Sequence, residues 1–455
     1  MEERALLWFR RDLRLADQPA LLAAADAAPA VLALFVLDDH LLRSSGNSRI
    51  AFLVGCLRAL DSQLEGRLLI RAGDPVDIVA DTARHIGART VHVSADTGPY
   101  GRERDERVAA SLASDGITLV RTGSPYAITP GRVRKADGEP YRVFTPFHRA
   151  WLEHGWRAPA ESGADSTDWL TPPAALREEL PPVPEEIPAL PEPGEAAGLV
   201  RWREFAENSL DGYRCDRDRP DRDGTSGLSP YLKFGCLHPR TLLAELPSGT
   251  AAETFRSELA WREFYADVLL HRPDTARSNA DRRFDAMPLD SGPAADLAFG
   301  AWCEGRTGFP IVDAGMRQLL AEGWMHNRVR MIVASFLVKD LHLPWWRGAR
   351  HFMRHLTDGD LASNQHGWQW AAGSGTDAAP YFRIFNPTTQ GEKFDPDGAY
   401  VHRYVPELRE VGGKAVHQPW KLPGGPPNGY PQPIVDHKKE RAEALERYAL
   451  TRQAR

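Results

Sequence analysis

No run of about eighteen apolar residues, the length needed to span a bilayer, occurs in this 455-residue chain, so a soluble protein is expected. Positive charge is not in excess. With 56 Lys and Arg against 62 Asp and Glu the formal net charge is -6, so any affinity for nucleic acid must come from a local basic surface. Cysteine is scarce: Cys56, Cys215, Cys236 and Cys303 stand far apart without CxxC or His–Cys ligand spacing. That excludes a disulfide framework or a zinc site, and reduced thiols and no metal are expected. The opening MEERALLWF lacks the charged, apolar and small-residue sections of a secretory signal, which predicts a cytoplasmic protein. A GxGxxG after the first strand-like run is also missing, so the usual dinucleotide fingerprint is absent.

What is present begins with five short β runs, ALLWF, AVLALFVL, RLLIRAG, TVHVS and ITLVRTG, separated by helical stretches such as Arg49 to Leu64. This alternation predicts a doubly wound, Rossmann-like α/β domain with a parallel sheet over residues 1–130. Proline, alanine and glutamate then dominate, including PPVPEEIPALPEPGE, and residues 131–200 read as an interdomain linker. From 201 to 455 the β signal disappears, and helices are predicted at Glu253 to Leu270, Pro310 to Ala321, Arg328 to Leu341 and His437 to Ala454. The second domain is therefore expected to be all-α. Of 13 tryptophans, nine lie at or beyond Trp202, and the ordinary expectation for such large aromatics is the core.

Four constellations carry chemistry. In GTSGLSPYLKFG (Gly224 to Gly235) hydroxyls and glycines precede a helical run, an arrangement equally suited to holding phosphate and to capping a helix. In SELAWREFYADVLL, Glu258, Trp261, Arg262 and Tyr265 fall at steps of three and four and are predicted to share a helix face, with a Glu258–Arg262 surface ion pair as the plainer reading. From Trp324 to His355, Asp340 is the one carboxylate against Arg328, Arg330, Lys339, Arg347, Arg350 and Arg354, which reads as the local basic surface sought above. In DGDLASNQHGWQW, Asp358, Asp360 and Asn364 precede Trp368 and Trp370, without the further acidic ligands a calcium loop needs.

Together with WFRRDLRLADQPAL, TGFPIVDAGMRQL and YPQPIVDHKKER, these segments resemble the photolyase and cryptochrome family, and within it the class I cyclobutane pyrimidine dimer photolyases. The resemblance spans nearly the whole chain. It implies FAD bound in a folded form, with Tyr213, Thr225, Ser226, Gly227, Leu228 and Ser229 around its phosphates, Arg262 nearby, Arg330 and Asp358 paired beside its ring, Asp360 on the ring's polar edge and Asn364 facing its N5. Plant cryptochromes are similar to one another in having aspartate at the Asn364 position, and animal ones cysteine. It further implies a carbon–carbon lyase that repairs dimers in DNA by light-driven electron transfer. The flipped-out lesion would be held by Glu258, Asn327, Trp261, Trp370 and Met331, and the DNA also by Arg262, Tyr265, Arg328 and Arg383. Six-four photolyases resemble His-His where this chain has His326 and Asn327, and carry histidine at the Met331 position, so the cyclobutane dimer is the expected lesion.

The resemblance assigns electron transfer to Trp368 and Trp345, but the surface tryptophan expected near Leu289 or Gly292 is missing, leaving Trp346 as the alternative exit. A second, light-harvesting chromophore is implied in the α/β domain. Arg49, Asp96, Arg102 and Lys233 look more like deazaflavin-binding members than methenyltetrahydrofolate-binding ones, although Gly98 stands where some carry glutamate. The alternative function is a cryptochrome-type blue-light photoreceptor without repair; it would usually bring a C-terminal extension, whereas this chain stops at Arg455. A monomer is expected.

Overall fold

The computed structural model describes residues 3–376 and 382–451. Among them no helix is long and apolar enough to cross a membrane. Five parallel strands, β1 (Arg4–Phe9), β2 (Ala30–Leu37), β3 (Leu68–Ala72), β4 (Thr90–Val93) and β5 (Thr118–Arg121), form a sheet of order β3-β2-β1-β4-β5. The run AVLALFVL is buried at every position, as a strand covered on both faces requires. Leu6 of β1 pairs with Leu32 of β2 on one side and Val91 of β4 on the other. Helices Pro19–Ala27, Asn47–Gln63, Pro75–Ile86 and Pro99–Ser114 make the crossovers. The third shows why the chain breaks where it does: Asp74 accepts from the Val76 N–H at 2.9 Å, Pro75 opens the first turn, and Gly87 at φ 67° ends the helix. Strand order reverses between β1 and β4, and open α/β sheets take ligands in the crevice beyond such strand ends.

The boundaries 1–130, 131–200 and 201–455 do not follow the compact units. One unit gathers the residues up to Ile187 with Pro191–Asn208 and Ser226–Pro273; the other gathers Pro188–Leu190, Ser209–Thr225 and the residues from Asp274 onward. The stretch read as a linker contains a helix, Phe144–His154, and a two-residue strand, β6 (Asp168–Trp169), paired to Ala30 and Val31 of β2. Phe144, Phe147 and Trp151 recur at steps of three and four and are buried, a helical signal masked by the surrounding prolines. They tie the Thr250–His271 helix to the α/β unit: Trp151 Nε1 donates to Glu263 at 2.7 Å, and Phe147 lies 5.2 Å from Phe264. β6 is too short for any periodicity to reveal.

The other unit is helical, with Pro293–Cys303, Pro310–Glu322, Asn327–Lys339, Trp345–His355 and Leu361–Ala372 around a core that includes Trp302, Phe336, Phe352 and Trp368. A Cβ at Gly348 would collide with the Trp368 ring, so glycine is what lets these two helices approach. The C-terminal helix runs His437–Thr451, and its predicted end at Ala454 lies outside the described residues. Cysteine spacing gave no hint that the sulfurs of Cys56 and Cys236 would lie 3.5 Å apart, both buried and both free thiols.

Candidate functional site

On the α/β unit, the Thr250–His271 helix presents Glu258, Trp261, Arg262 and Tyr265, all half-buried. Trp261 lies face to face with Phe144, centroids 3.7 Å apart, and 5.3 Å from Tyr265, so indole and phenol share a face as predicted. Arg262 departs from it. Its guanidinium donates to the carbonyls of Pro125 at 2.9 Å and Leu232 at 3.1 Å and lies 4.5 Å from the Tyr126 centroid. The long flexible stem carries the guanidinium to backbone carbonyls beyond the helix, which corrects the shared-face reading for this residue. Its neighbour Glu263, not singled out in the sequence, is buried and accepts from Ala127 N–H at 2.5 Å, Ile128 N–H at 3.1 Å and Trp151 Nε1. Burial outweighs those bonds and pushes its carboxyl up to about 7.

The hydroxyl-rich turn belongs to the same unit from Ser226 onward. Arg201 Nε donates to the Ser226 carbonyl at 2.8 Å, Gly227 sits at φ 65°, and Leu228 N–H donates to Ser226 Oγ at 3.4 Å before the helix Ser229–Phe234 begins. Only glycine takes that φ freely, and a Cβ there would press on Arg201 Nε at 3.2 Å.

At the strand-order reversal, Arg10 pairs with Asp105 at 2.5 Å, Arg104 with Asp105 at 2.9 Å and Asp96 at 3.4 Å, and the Arg10 and Arg104 guanidiniums lie 4.7 and 5.1 Å from the Trp8 centroid. Burial raises the Asp96 pKa, but Arg104, Arg11 and Arg10 overcome it and hold the carboxyl below its ordinary value. Of the antenna residues read from sequence, Asp96 is in this cluster. Arg102 is exposed, its expected place beside Asp96 taken by Arg104, which lies on the buried side of the same helix. Arg49 is buried and donates to the Ser44 carbonyl at 3.0 Å, and Lys233 lies 5.9 Å from the Phe234 centroid.

On the helical unit, Arg330 donates to the Met325 carbonyl and to Asp358, each at 2.8 Å. The other oxygen of Asp358 is buried and has no partner among the described residues. Asp360 caps the Leu361–Ala372 helix, accepting from Ser363 N–H at 3.0 Å. One turn later the Asn364 amide nitrogen donates to the Ala349 carbonyl at 3.1 Å and to Gln365 at 2.9 Å. A guanidinium, a carboxylate oxygen and an amide thus lie on the two segments named in the sequence. That set of donors and acceptors fits a flat, multiply hydrogen-bonding ring such as a flavin. Tyr213 is buried with the Arg217 guanidinium 5.7 Å from its ring, and Thr225 belongs to this unit as well.

The basic surface read between Trp324 and His355, with Asp340 as its one carboxylate, is corrected for four of its six cations, while Arg350 and Arg354 are exposed. Arg328 pairs with Asp218, Arg330 with Asp358 and Arg347 with Asp296, each at 2.8 Å, while Lys339 is buried, donates to the Arg383 carbonyl and is pushed down to about 7 by burial. The acids come from other segments, which a local count cannot see. Asn327 and Arg383 are exposed, Met331 and Trp370 half-buried. Trp370 lines a pocket with Phe284, Lys339, Phe382, Phe385 and Tyr448. His326 caps the Asn327–Lys339 helix, accepting from Arg328 N–H at 3.2 Å, and burial pushes it down to about 4.

Trp368 is buried, and its ring neighbours among the described residues are Phe352 at 5.0 Å and Trp302 at 6.0 Å rather than Trp345. Trp345 donates to Asn279 at 2.9 Å and lies 6.0 Å from the exposed Trp346. Trp302 was missed because AFGAWC reads as ordinary core.

A family model described as DNA photolyase matches residues 5–164, and one described as the FAD binding domain of DNA photolyase matches residues 255–450. The chain is 39% identical to the deoxyribodipyrimidine photo-lyase of Synechococcus sp., over 95% of this chain and 93% of that protein. A crystal structure of a bacterial class III photolyase from Agrobacterium tumefaciens is similar at TM-score 0.90 and 38% identity, covering 100% of this chain and 98% of that one. An archaeal photolyase from Sulfolobus tokodaii, described as holding two FAD molecules, is similar at TM-score 0.84 and 29% identity, covering 98% and 99% of the two chains. The chain belongs to the DNA photolyase family.

Proposed function

We propose that this chain is a deoxyribodipyrimidine photo-lyase: a carbon–carbon lyase that splits the cyclobutane ring of pyrimidine dimers in DNA under light, with FAD as its cofactor. When bound, reduced FAD supplies, on illumination, the single electron that a stable dimer needs to split and that no side chain can donate. Arg330 holds Asp358 in place, and the unpartnered Asp358 oxygen is the acceptor offered to the cofactor. That oxygen is the observation that carries the reading, because a buried carboxylate oxygen left unsatisfied costs free energy unless something donates to it. Asp360 and Asn364 serve the same ring, and Tyr213, Thr225, Ser226, Gly227, Leu228 and Ser229 the phosphates.

The lesion is assigned to Glu258, Asn327, Trp261, Trp370 and Met331, with Tyr265, Arg328 and Arg383 on the flanking DNA. Arg262, spent on carbonyls, is assigned to the scaffold instead. Asn327 and Met331 stand where six-four photolyases carry histidine, and burial pushes the neighbouring His326 down to about 4, so its imidazole is uncharged at neutral pH; both support a cyclobutane dimer rather than a lesion needing acid catalysis. Electron supply to oxidised cofactor is assigned to Trp368, Trp345 and Trp346, with Trp302, the tryptophan in ring contact with Trp368, as an alternative next step. A deazaflavin rather than methenyltetrahydrofolate is assigned to the crevice beside Asp96, with Arg104 in place of Arg102 and with Arg49 and Lys233 kept as candidate contacts.

The test is illumination of the reduced protein with an oligonucleotide containing one thymine dimer. Base absorbance should recover in the light and stop recovering in the dark. No recovery by protein that retains reduced FAD would overturn the reading. Mass and absorbance of chromophores released on denaturation decide the antenna.

A further inference from the structure

The guanidinium of Arg328 is occupied along its Nε edge and on one face. Nε and one terminal nitrogen donate to the same Asp218 oxygen at 3.2 and 2.8 Å, the other terminal nitrogen lies 3.6 Å from Met331 Sδ, and the ring of Phe394 faces it with its centroid 4.6 Å away. The pair is partly open to solvent, the side chains 19% and 38% exposed. Asp218 lies in RCDRDRPDRD (214–223), where arginine and aspartate alternate and neutralise one another: Arg222 pairs with Asp216 at 2.6 Å and Arg219 with Asp221 at 2.5 Å. Asp218 differs from these. It reaches out of its own segment to the Asn327–Lys339 helix, two residues from the Arg330 that holds Asp358.

We propose that Asp218 is an internal competitor for the DNA backbone, a carboxylate that occupies the phosphate-binding edge of Arg328 until a DNA phosphate displaces it. The proposal rests on the reading of Arg328 as a phosphate contact. A carboxylate and a phosphate use the same edge of a guanidinium, and on Arg328 the edge formed by Nε and its neighbouring terminal nitrogen is taken by Asp218, so an incoming phosphate competes with Asp218 for it. Binding therefore exchanges one anion for another. The net gain is smaller than for a free arginine, and the displaced Asp218 recruits a cation of its own, offsetting part of the counterion release that drives DNA binding. A phosphate contact carries no information about the lesion, so this restraint bears equally on damaged and undamaged DNA. Asp218 thus limits non-specific binding by a chain whose net charge of -6 already disfavours it.

The test measures Kd for undamaged duplex and for dimer-containing duplex across a salt series, with the full-length protein carrying Asp218→Asn, Asp218→Glu or Arg328→Gln. Asp218→Asn should bind both duplexes about two- to fivefold more tightly, the range of an exposed ion pair. Its plot of log affinity against log salt should steepen by up to about 0.9. Asp218→Glu, which keeps the charge, should stay near wild type. If Arg328→Gln weakens binding but Asp218→Asn does not tighten it, Arg328 is a phosphate contact and the proposal is wrong. If Arg328→Gln binds as wild type does, the reading beneath it fails and the proposal falls with it. Tightening confined to the dimer duplex also overturns it.

Discussion

Two buried carboxylates, one on each unit, differ in a way that separates scaffold from site. Glu263 has three donors over its two oxygens, all from the same unit, and its carboxyl is pushed up to about 7. Asp358 is held by one arginine and keeps a buried oxygen unpartnered among the described residues. A closed set of hydrogen bonds rigidifies a fold, whereas an open one holds a place for something else. Asp105 and Asp340 also keep a buried oxygen without a hydrogen-bond partner among the described residues, so the Asp358 oxygen points to a ligand only together with Arg330, Asp360 and Asn364 on the same two segments.

That contrast can be broken most directly at Glu263. Glu263→Gln turns an amide N–H toward backbone donors and should cost about 2–4 kcal/mol, read as a lower denaturation midpoint. The same carboxyl makes stability depend on pH. Its folded pKa lies above the ordinary 4.5, so its contribution is full below about pH 4.5 and is lost as pH rises through about 7. Wild type should lose up to about 3 kcal/mol over that window from this group, and Glu263→Gln should flatten the dependence.

Asp358→Asn should do the opposite. We expect flavin affinity to fall about 10- to 100-fold by equilibrium titration, with stability of the flavin-free protein changed by less than about 1 kcal/mol. Equal loss of stability in the two variants would erase the distinction between clamp and site. Gly348→Ala sharpens it from the packing side. Crowding the Trp368 ring should cost about 1–3 kcal/mol and perturb near-ultraviolet dichroism without removing any hydrogen-bonding group.

The smallest effects concern the tryptophans. Photoreduction of oxidised flavin should be slow in wild type and slower in Trp346→Phe, while dimer repair by chemically reduced protein stays unchanged. If instead Trp302→Phe abolishes photoreduction and Trp346→Phe does not, the route leaves Trp368 through its 6.0 Å neighbour Trp302 rather than through Trp345.

The α/β sheet was legible because its central parallel strands read as continuous apolar runs: AVLALFVL matches β2 residue for residue, ALLWF falls one residue short of β1, and the runs over β3, β4 and β5 overshoot by one to three residues. The Arg330–Asp358 pair came from the family resemblance, since 28 residues separate its members and no local period joins them. The acid-poor stretch from Trp324 to His355 misled for a related reason. Its arginines take carboxylates from Asp218, Asp296 and Asp358, outside any window in which charge is counted. Arg262 misled through its reach, and the Phe144–His154 helix was hidden among prolines that do not interrupt it.

By itself, then, the sequence determined the strands, most of the long helices and the family, because local apolar periodicity and long ordered motifs survive in one dimension. The tertiary structure alone decided which charge meets which: that Arg104 rather than Arg102 faces Asp96, that Trp302 adjoins Trp368, and that Asp218 sits on Arg328. Ion pairs and ring contacts act over a few ångströms of space, and the chain brings residues to those distances from positions that spacing along it does not relate.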